Sequence, residues 1–452
     1  MTWQQKFQTA LEHQHADRLP AAERAYRAAI AANPKFAAAH HNLATVLHQR
    51  GRFQQAIHAF RTSAKLDPDL TAAAHLGVGA VLLRTEEYER AEAELRAAIA
   101  AAPEAPDPHR FLGDLKRTLG RYEEARAAYL DALRCRPDCP EALFGLACVR
   151  LALGEMPEGW DVYEARLSKL ASPALQPVWN GESIVGRTLL VHSEQGLGDA
   201  IQFLRYVPLL AKRGARVLLA IRQEIMALGA TVEGPTAVVE PAFTLPPFDF
   251  SVGLPSLPRM FRTTLDTIPQ NVPYLRADPA KIATWREKLG PWDGPTVAIA
   301  WRGNPIHRND HRRSLATGEI APLFDMTNVR FLVIQKDDAD TPKRANVLRL
   351  GNEGFDDVAA LMSIADVTIS VDTVFCHVAG ALGLPVWTLH CTSPDWRWGI
   401  EGETTPWYPT MRLFRQKNIA DWSNVIEDVV GALRDLADAK NSGSAAEFAK
   451  GG

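Results

Sequence analysis

The sequence predicts an all-helical repeat array followed by two α/β halves built on parallel sheets. Three observations carry this. Prolines recur at positions 34, 68, 103 and 137, at spacings of 34, 35 and 34. A short apolar run, 188–192, leads into a glycine loop and then a helical pattern. Beyond it, apolar runs of strand length alternate with helical stretches to about residue 440, the pattern of parallel sheets.

In the repeat region a small residue lies twelve positions before each proline: Ala22, Ala56, Ala91 and Ala125. A large one lies eight before it: Tyr26, Phe60, Leu95 and Tyr129. Leu43-Ala44 and Leu112-Gly113 fall where two helices pack closely, and Gly51 and Gly120 where they turn. This period and register resemble the tetratricopeptide repeat. About four repeats span residues 1–150, and a further helix pair around Leu143, Leu146, Gly154 and Tyr163 extends the array as a cap to 170. Such pairs bury their apolar faces on one another and leave a concave groove. The groove fits a protein ligand; a spacer or dimerisation element, and so a homo-oligomer, is the alternative. Residues 171–187, with Pro173 and Pro177, read as a linker.

The stretch from Thr188 to Tyr206 organises the rest. A strand, 188–192, meets Gly196 and Gly198, which let the backbone turn and approach a ligand. Asp199 stands where a helix N-cap belongs. Ile201 occupies the third glycine position of a dinucleotide fingerprint, and no Walker lysine is present, so neither NAD nor a P-loop is supported. Further strands are expected at 216–221, 237–240, 248–254, 296–301, 330–335, 366–371 and 385–389. Helices are expected at 277–289, 356–364, 373–382 and 418–439, the first capped by Asp278 and ended by Gly290. These divide into domains at 188–292 and 293–440, with a disordered tail at 441–452.

Composition narrows the partners. A net charge of −3 gives no electrostatic case for nucleic acid. No apolar run reaches membrane-spanning length, and the N-terminus is not a signal peptide. Five cysteines without a disulfide framework point to a reducing, cytoplasmic setting. Cys135 and Cys139 lack a second pair, and no cluster has metal-ligand spacing, so no metal or other cofactor is expected.

The order Gly-Leu-Gly-Asp199, Ala-Trp-Arg-Gly-Asn-Pro305, Ser-Val-Asp-Thr-Val-Phe-Cys-His377 and Ala-Gly-Ala-Leu-Gly383 resembles the heptosyltransferase-type (family 9) glycosyltransferases. Pro394-Asp-Trp-Arg-Trp398, Pro406-Trp-Tyr-Pro409 and Arg412-Leu-Phe-Arg-Gln416 are similar to the bacterial subfamily that joins tetratricopeptide repeats to such a domain. O-linked N-acetylglucosamine transferases are a more distant likeness. The resemblance implies a GT-B fold, two Rossmann-like domains facing a cleft. It also implies sugar transfer, with inversion, from a nucleotide sugar to a protein or glycan acceptor.

It assigns Asp199 as general base. It places Gly198, Asp372, Thr373 and His377 around the donor phosphates, with Arg302 and Asn304 at the end of a facing strand. Gln335 and Lys336 border the base or ribose, and Glu194 and Gln195 lie on the acceptor side. Arg302 is the leading candidate to neutralise the diphosphate, and the loop 307–313 adds three arginines and two histidines. Asp372 is expected to cap its helix or meet ribose. Val374 replaces the family's glycine and Phe375 is bulky, which leaves a non-catalytic scaffold with a degenerate nucleotide-sugar site as the alternative. Trp396, Trp398, Trp407 and Tyr408 are expected to pack as core.

Overall fold

The computed structural model describes residues 1–169, 175–241, 245–307, 309–336, 340–350 and 353–442. Part of the linker (170–174), Arg308 and the tail from 443 therefore lie outside the described residues. The chain forms two compact units, Met1–Val149 and Arg150–Gly452.

The first unit is made of antiparallel helix pairs: Trp3–His15 with Leu19–Ala32, Ala37–Gln49 with Phe53–Leu66, Thr71–Arg84 with Tyr88–Ala101, and Pro106–Thr118 with Tyr122–Cys135. The helix Pro140–Ala152 follows, and the division into units falls within it. The repeated positions are the buried ones. Ala22, Ala56, Ala91 and Ala125 have no exposed surface, and Tyr26, Phe60, Leu95 and Tyr129 fill the space between pairs. The turn inside each pair uses the left-handed backbone region: Asp17 (φ 54°), Gly51 (72°), Glu86 (59°) and Gly120 (71°); Gly154 (82°), after Pro140–Ala152, repeats it in the second unit. The sequence marks the glycines but not Asp17 or Glu86, because an L residue there is disfavoured rather than forbidden. The single 35-residue spacing arises inside one helix. Thr71–Arg84 has 14 residues, whereas Trp3–His15, Ala37–Gln49, Pro106–Thr118 and Pro140–Ala152 have 13.

The second unit holds two parallel sheets, the architecture of a GT-B-like fold. The first contains β1 (Thr188–His192), β2 (Arg216–Ala220), β3 (Pro235–Val239) and β4 (Phe250–Gly253) in the order β3-β2-β1-β4. The second contains β5 (Thr296–Ala300), β6 (Arg330–Val333), β7 (Val347–Arg349), β8 (Val367–Val371), β9 (Val386–His390) and β10 (Met411–Arg415). Its order is β10-β9-β8-β5-β6-β7, and every pairing is parallel. The expected strands are present; β7 and β10 were not anticipated. β7 is three residues long and half exposed, and in β10 charged Arg412 and Arg415 break up the apolar run. The helix Pro279–Leu289 starts on Asp278, whose carboxylate accepts from Ala280 N–H, and stops at Gly290.

The helix Met156–Tyr163 and the 3-10 turn to Lys169, expected as the cap that joins the array to the next domain, pack within the second unit. Trp160 is buried among Phe203, Trp396 and Trp407 at ring separations of 6.4, 5.2 and 6.4 Å. Its indole N–H donates to the Thr263 carbonyl at 3.1 Å. Helix spacing alone carries no information about which unit covers a tryptophan.

Candidate functional site

In each sheet the strand order reverses beside the first strand, so the carboxyl ends of β1 and of β5 and β8 open the crevices where an α/β sheet takes its ligand. The sequence-derived candidates lie at these ends, and segments from the two sheets meet there. The helix Leu197–Phe203 that follows β1 packs on the helix Val374–Ala381 that follows β8.

Asp199 is not the N-cap. Gly196 holds that place, and Asp199 sits three residues inside the helix, where its Oδ2 reaches back to accept from Gly196 N–H at 3.1 Å. A first-turn carboxylate is still favoured by the helix dipole. Its other oxygen, Oδ1, accepts from Arg397 Nη2 at 2.5 Å. Gly198 approaches protein rather than open space: a Cβ there would lie 2.7 Å from His377 Cδ2. The His377 ring cannot retreat, being buried against Trp398 (5.3 Å) and bonded through Nδ1 to the Tyr408 hydroxyl (2.9 Å). Gly198→Ala is therefore expected to cost about 1–3 kcal/mol of stability through overpacking, read as a lowered denaturant midpoint. Gly196→Ala, at φ −66° and facing only the Asp199 carboxylate at 3.1 Å, should cost less.

His377 thus packs internally instead of presenting an edge to an open cleft. Burial, reinforced by Arg397, Arg205 and His390, holds its imidazole well below the ordinary value, so the ring is neutral. Asp372 does not cap the following helix; Thr373 is its N-cap, and the Thr373 hydroxyl pairs with Ser370 Oγ at 3.0 Å. The Asp372 carbonyl accepts from Arg313 Nη1 at 2.8 Å. Phe375 turns into the core against Phe355, with ring centroids 6.0 Å apart, so its bulk leaves the helix start uncovered. Among the described residues, Asp372, Cys376 and His377 bring one ligand atom each within 4.8 Å of one another. The set is a poor cation trap. The Cys376 thiol is pushed up by burial and by Asp372, and Arg397 and Arg313 stand close enough to pull it back only in part.

At the end of β5, Arg302 donates through Nη2 to Thr317 Oγ1 (2.9 Å) and pairs with exposed Asp340 at 3.3 Å. Gln335 is buried and does not border an open pocket. Its Oε1 accepts from the Trp301 and Arg302 N–H groups at 2.9 and 3.1 Å, which fixes the strand end. Lys336 is exposed, and Asn304 uses its side chain to hold Ile306 N–H at 3.0 Å. Asp310 and Arg313 form an ion pair at 3.1 Å over Gly303, where a Cβ would collide with both.

Glu194 and Gln195 do not face an open acceptor surface. Glu194 is buried in a two-point pair with Arg166, at 3.2 Å (Nε) and 3.0 Å (Nη2), and covers Gly253. Burial raises its pKa although Arg166 pulls the other way. Gln195 accepts from the Tyr163 hydroxyl at 3.3 Å. The inward turn of this loop became legible only with the 156–169 segment in place. Trp396, Trp398, Trp407 and Tyr408 are buried, as expected of core.

Two arginines were missed. Arg205 has no exposed surface; it donates to the Trp407 carbonyl at 2.8 Å and lies over the rings of Tyr274, Trp407 and Tyr408 at 5.1, 5.2 and 4.8 Å. Arg397, in the turn Trp396–Trp398 after β9, meets Asp199 by Nη2 and Asp395 by Nη1 (3.3 Å). Burial works against its charge, but Asp395, Asp199 and Asp372 together hold its pKa above the ordinary value. Burial pushes the Asp395 carboxyl up, opposed by Arg397. The sequence signal was an Asp-x-Arg in the aromatic loop, which tryptophans on both sides made look like packing alone.

Tetratricopeptide-repeat models match residues 7–71, 49–106 and 112–170. The model of glycosyltransferase family 9 (heptosyltransferase) matches residues 332–428. The chain joins tetratricopeptide repeats to a family 9 glycosyltransferase domain. The family 9 match takes in Gln335, Lys336, Asp372, Thr373, His377, Asp395 and Arg397, while Asp199 and Arg302 precede it. FlbA of Caulobacter vibrioides is 28% identical over 452 residues, covering 91% of this chain and 69% of that protein. Among solved structures, MamA is 21% identical over 35% of this chain and 93% of its own, with a TM-score of 0.31. TTC0263, a TPR protein of Thermus thermophilus, is 22% identical over 37% and 91%, with a TM-score of 0.33. The family 9 domain supports glycosyltransferase activity, and the repeats support protein interaction. Among the described residues no helix is long and apolar enough to cross a membrane.

Proposed function

We propose that the chain transfers a sugar, with inversion and without a metal, from a nucleotide-sugar donor to a hydroxyl of a protein or glycan acceptor recruited by the repeats. The observation that carries this is the ion pair of Asp199, in the helix after β1, with Arg397, in the turn after β9, whose charge Asp372 at the end of β8 also supports. A base from one half thereby stands beside cationic and helix-terminal groups of the other.

Asp199 takes the proton of the acceptor hydroxyl as its oxygen attacks the anomeric carbon. The bond from that carbon to the diphosphate breaks, and the electron pair leaves with the phosphate. The first free N–H groups of the helix Val374–Ala381 and the Arg302 guanidinium receive the charge. Cationic side chains and a helix terminus do here what a divalent ion does in metal-dependent transferases.

A thermal-shift screen of nucleoside diphosphates tests the donor side, since a specific ligand raises stability by mass action. One base should stand out, and its shift should survive excess chelator. Arg302→Ala should weaken that nucleotide by about 1.5–3 kcal/mol, the scale for a hydrogen bond to a charged group. The Asp340 pair is largely exposed and contributes little in exchange. Strict dependence on a divalent ion, or undiminished binding by the variant, would count against this arrangement.

A further inference from the structure

We propose that Arg397 is an interlock: it holds Asp199 idle while no donor is bound and releases it when the donor diphosphate takes its place. This rests on the transferase reading above.

Both oxygens of Asp199 are engaged, Oδ1 by Arg397 Nη2 at 2.5 Å and Oδ2 by Gly196 N–H at 3.1 Å. Held this way, neither oxygen is free to meet an acceptor hydroxyl. The Arg397 side is only half filled. Nε and Nη2 form the side-on edge of the guanidinium, the edge that takes two oxygens at once. Asp199 occupies Nη2, and the buried Nε has no hydrogen-bond partner among the described residues. The Arg397 side chain is 8% exposed, so water does not supply the missing bond cheaply. Asp199 cannot supply it either, since its second oxygen is turned to Gly196.

Two oxygens of a phosphate span both positions. A diphosphate therefore satisfies an orphaned donor that the carboxylate leaves unmet, and it carries more charge. Asp395 keeps Nη1 throughout, at 3.3 Å, so the guanidinium stays oriented. Once displaced, Asp199 Oδ1 is free to meet the acceptor hydroxyl. It takes the hydroxyl proton as the new oxygen–carbon bond forms. The carbon–phosphate oxygen bond breaks, and the pair of electrons passes to the diphosphate on Arg397. Protonated Asp199 no longer competes for that cation. When Asp199 returns its proton to water, the ion pair re-forms and expels the nucleoside diphosphate. Arg397 is in this scheme both a phosphate ligand and a positioning residue for the base, and the order donor first, acceptor second follows.

The test is diphosphate affinity, measured by titration calorimetry with inorganic pyrophosphate and with ADP, GDP and UDP on the full chain. Asp199→Asn removes the competing charge, so the diphosphate should bind roughly tenfold or more tightly than to the wild type, the scale of close charge pairs at interfaces. In sugar transfer the same variant should lower the donor KM together with kcat. Arg397→Lys keeps the charge but lacks the side-on edge. Adding Asp199→Asn to Arg397→Lys should bring a smaller gain than in the wild type, because the side-on edge that takes two phosphate oxygens is gone. Unchanged or weaker binding by Asp199→Asn, in a wild-type protein that binds the nucleotide and transfers sugar, overturns the interlock alone. Failure of every diphosphate to bind wild type and Asp199→Asn alike overturns the transferase reading with it. Should Arg397→Lys not fold, the comparison of wild type with Asp199→Asn decides by itself.

Discussion

Asp199→Asn is expected to lower sugar transfer by roughly 10²–10⁴-fold, the usual worth of a positioned base. The substitution keeps the shape of the side chain. An amide oxygen still accepts from Gly196 N–H, so the helix Leu197–Phe203 keeps its start. What is lost is the site for the acceptor proton and the negative charge beside Arg397. Transfer is measured in a single turnover, with the nucleotide sugar whose diphosphate the screen selects. Nucleotide binding measured in parallel shows that the site is intact. Near-normal turnover with intact binding would leave Asp199 as a helix-start and ion-pair residue only.

The second large effect is loss of stability in mild acid. Three histidines of the second unit have pKa values below the ordinary value. Burial and then Arg166 lower His192 to about 4, and burial above all holds His377 and His390 well down. For each, the unfolded chain binds a proton below about pH 6.5 while the folded chain does not, so stability falls as pH drops through that value. For His192, lowered to about 4, the loss between pH 6.5 and pH 5 is about 2 kcal/mol. His377 and His390 add to the loss in the same direction. Glu194 and Asp395 act oppositely. Their raised folded pKa values add stability as pH falls toward them, which offsets part of the loss.

Urea unfolding at pH 7 and pH 5, followed by tryptophan emission, measures the difference. All 11 tryptophans except Trp3 lie in the second unit, so the signal reports that unit. His390→Leu should recover part of the acid loss. Neither ring nitrogen of His390 has a hydrogen-bond partner among the described residues, so the change removes no bond. Equal midpoints at the two pH values would mean that these rings titrate in the folded state.

The sequence made the α/β skeleton readable wherever an apolar run was bounded by turn residues. β1, β5, β8 and β9 each combine a β-rich run with a polar or glycine-bearing end. β7 escaped because three residues are too few to show a period. For the site, position along the chain was legible and orientation was not. Arg302, Asp372 and Thr373 stand just past strand ends and Asp199 in the first turn of the helix after β1, as motif order suggested. Whether a side chain at such an end faces solvent or core depends on segments far away in sequence. His377 is turned inward by Tyr408 and Trp398, and Glu194 by Arg166. Arg397 was hidden for the same reason in reverse: it lies in a run of tryptophans, and only the approach of Asp199, 198 positions earlier, shows its charge at work.

The evenly placed left-handed residues at 17, 51, 86, 120 and 154 make the joints of the helix pairs interchangeable. A whole pair is therefore the natural unit of insertion or deletion. Recombination between equivalent joints would lengthen or shorten the array as a cassette, with each new junction already of the right hand. A single residue inserted within a helix does something different, because it rotates everything beyond it by about 100°. Thr71–Arg84 is one residue longer than its counterparts, and the turns on both sides of it keep their left-handed residue.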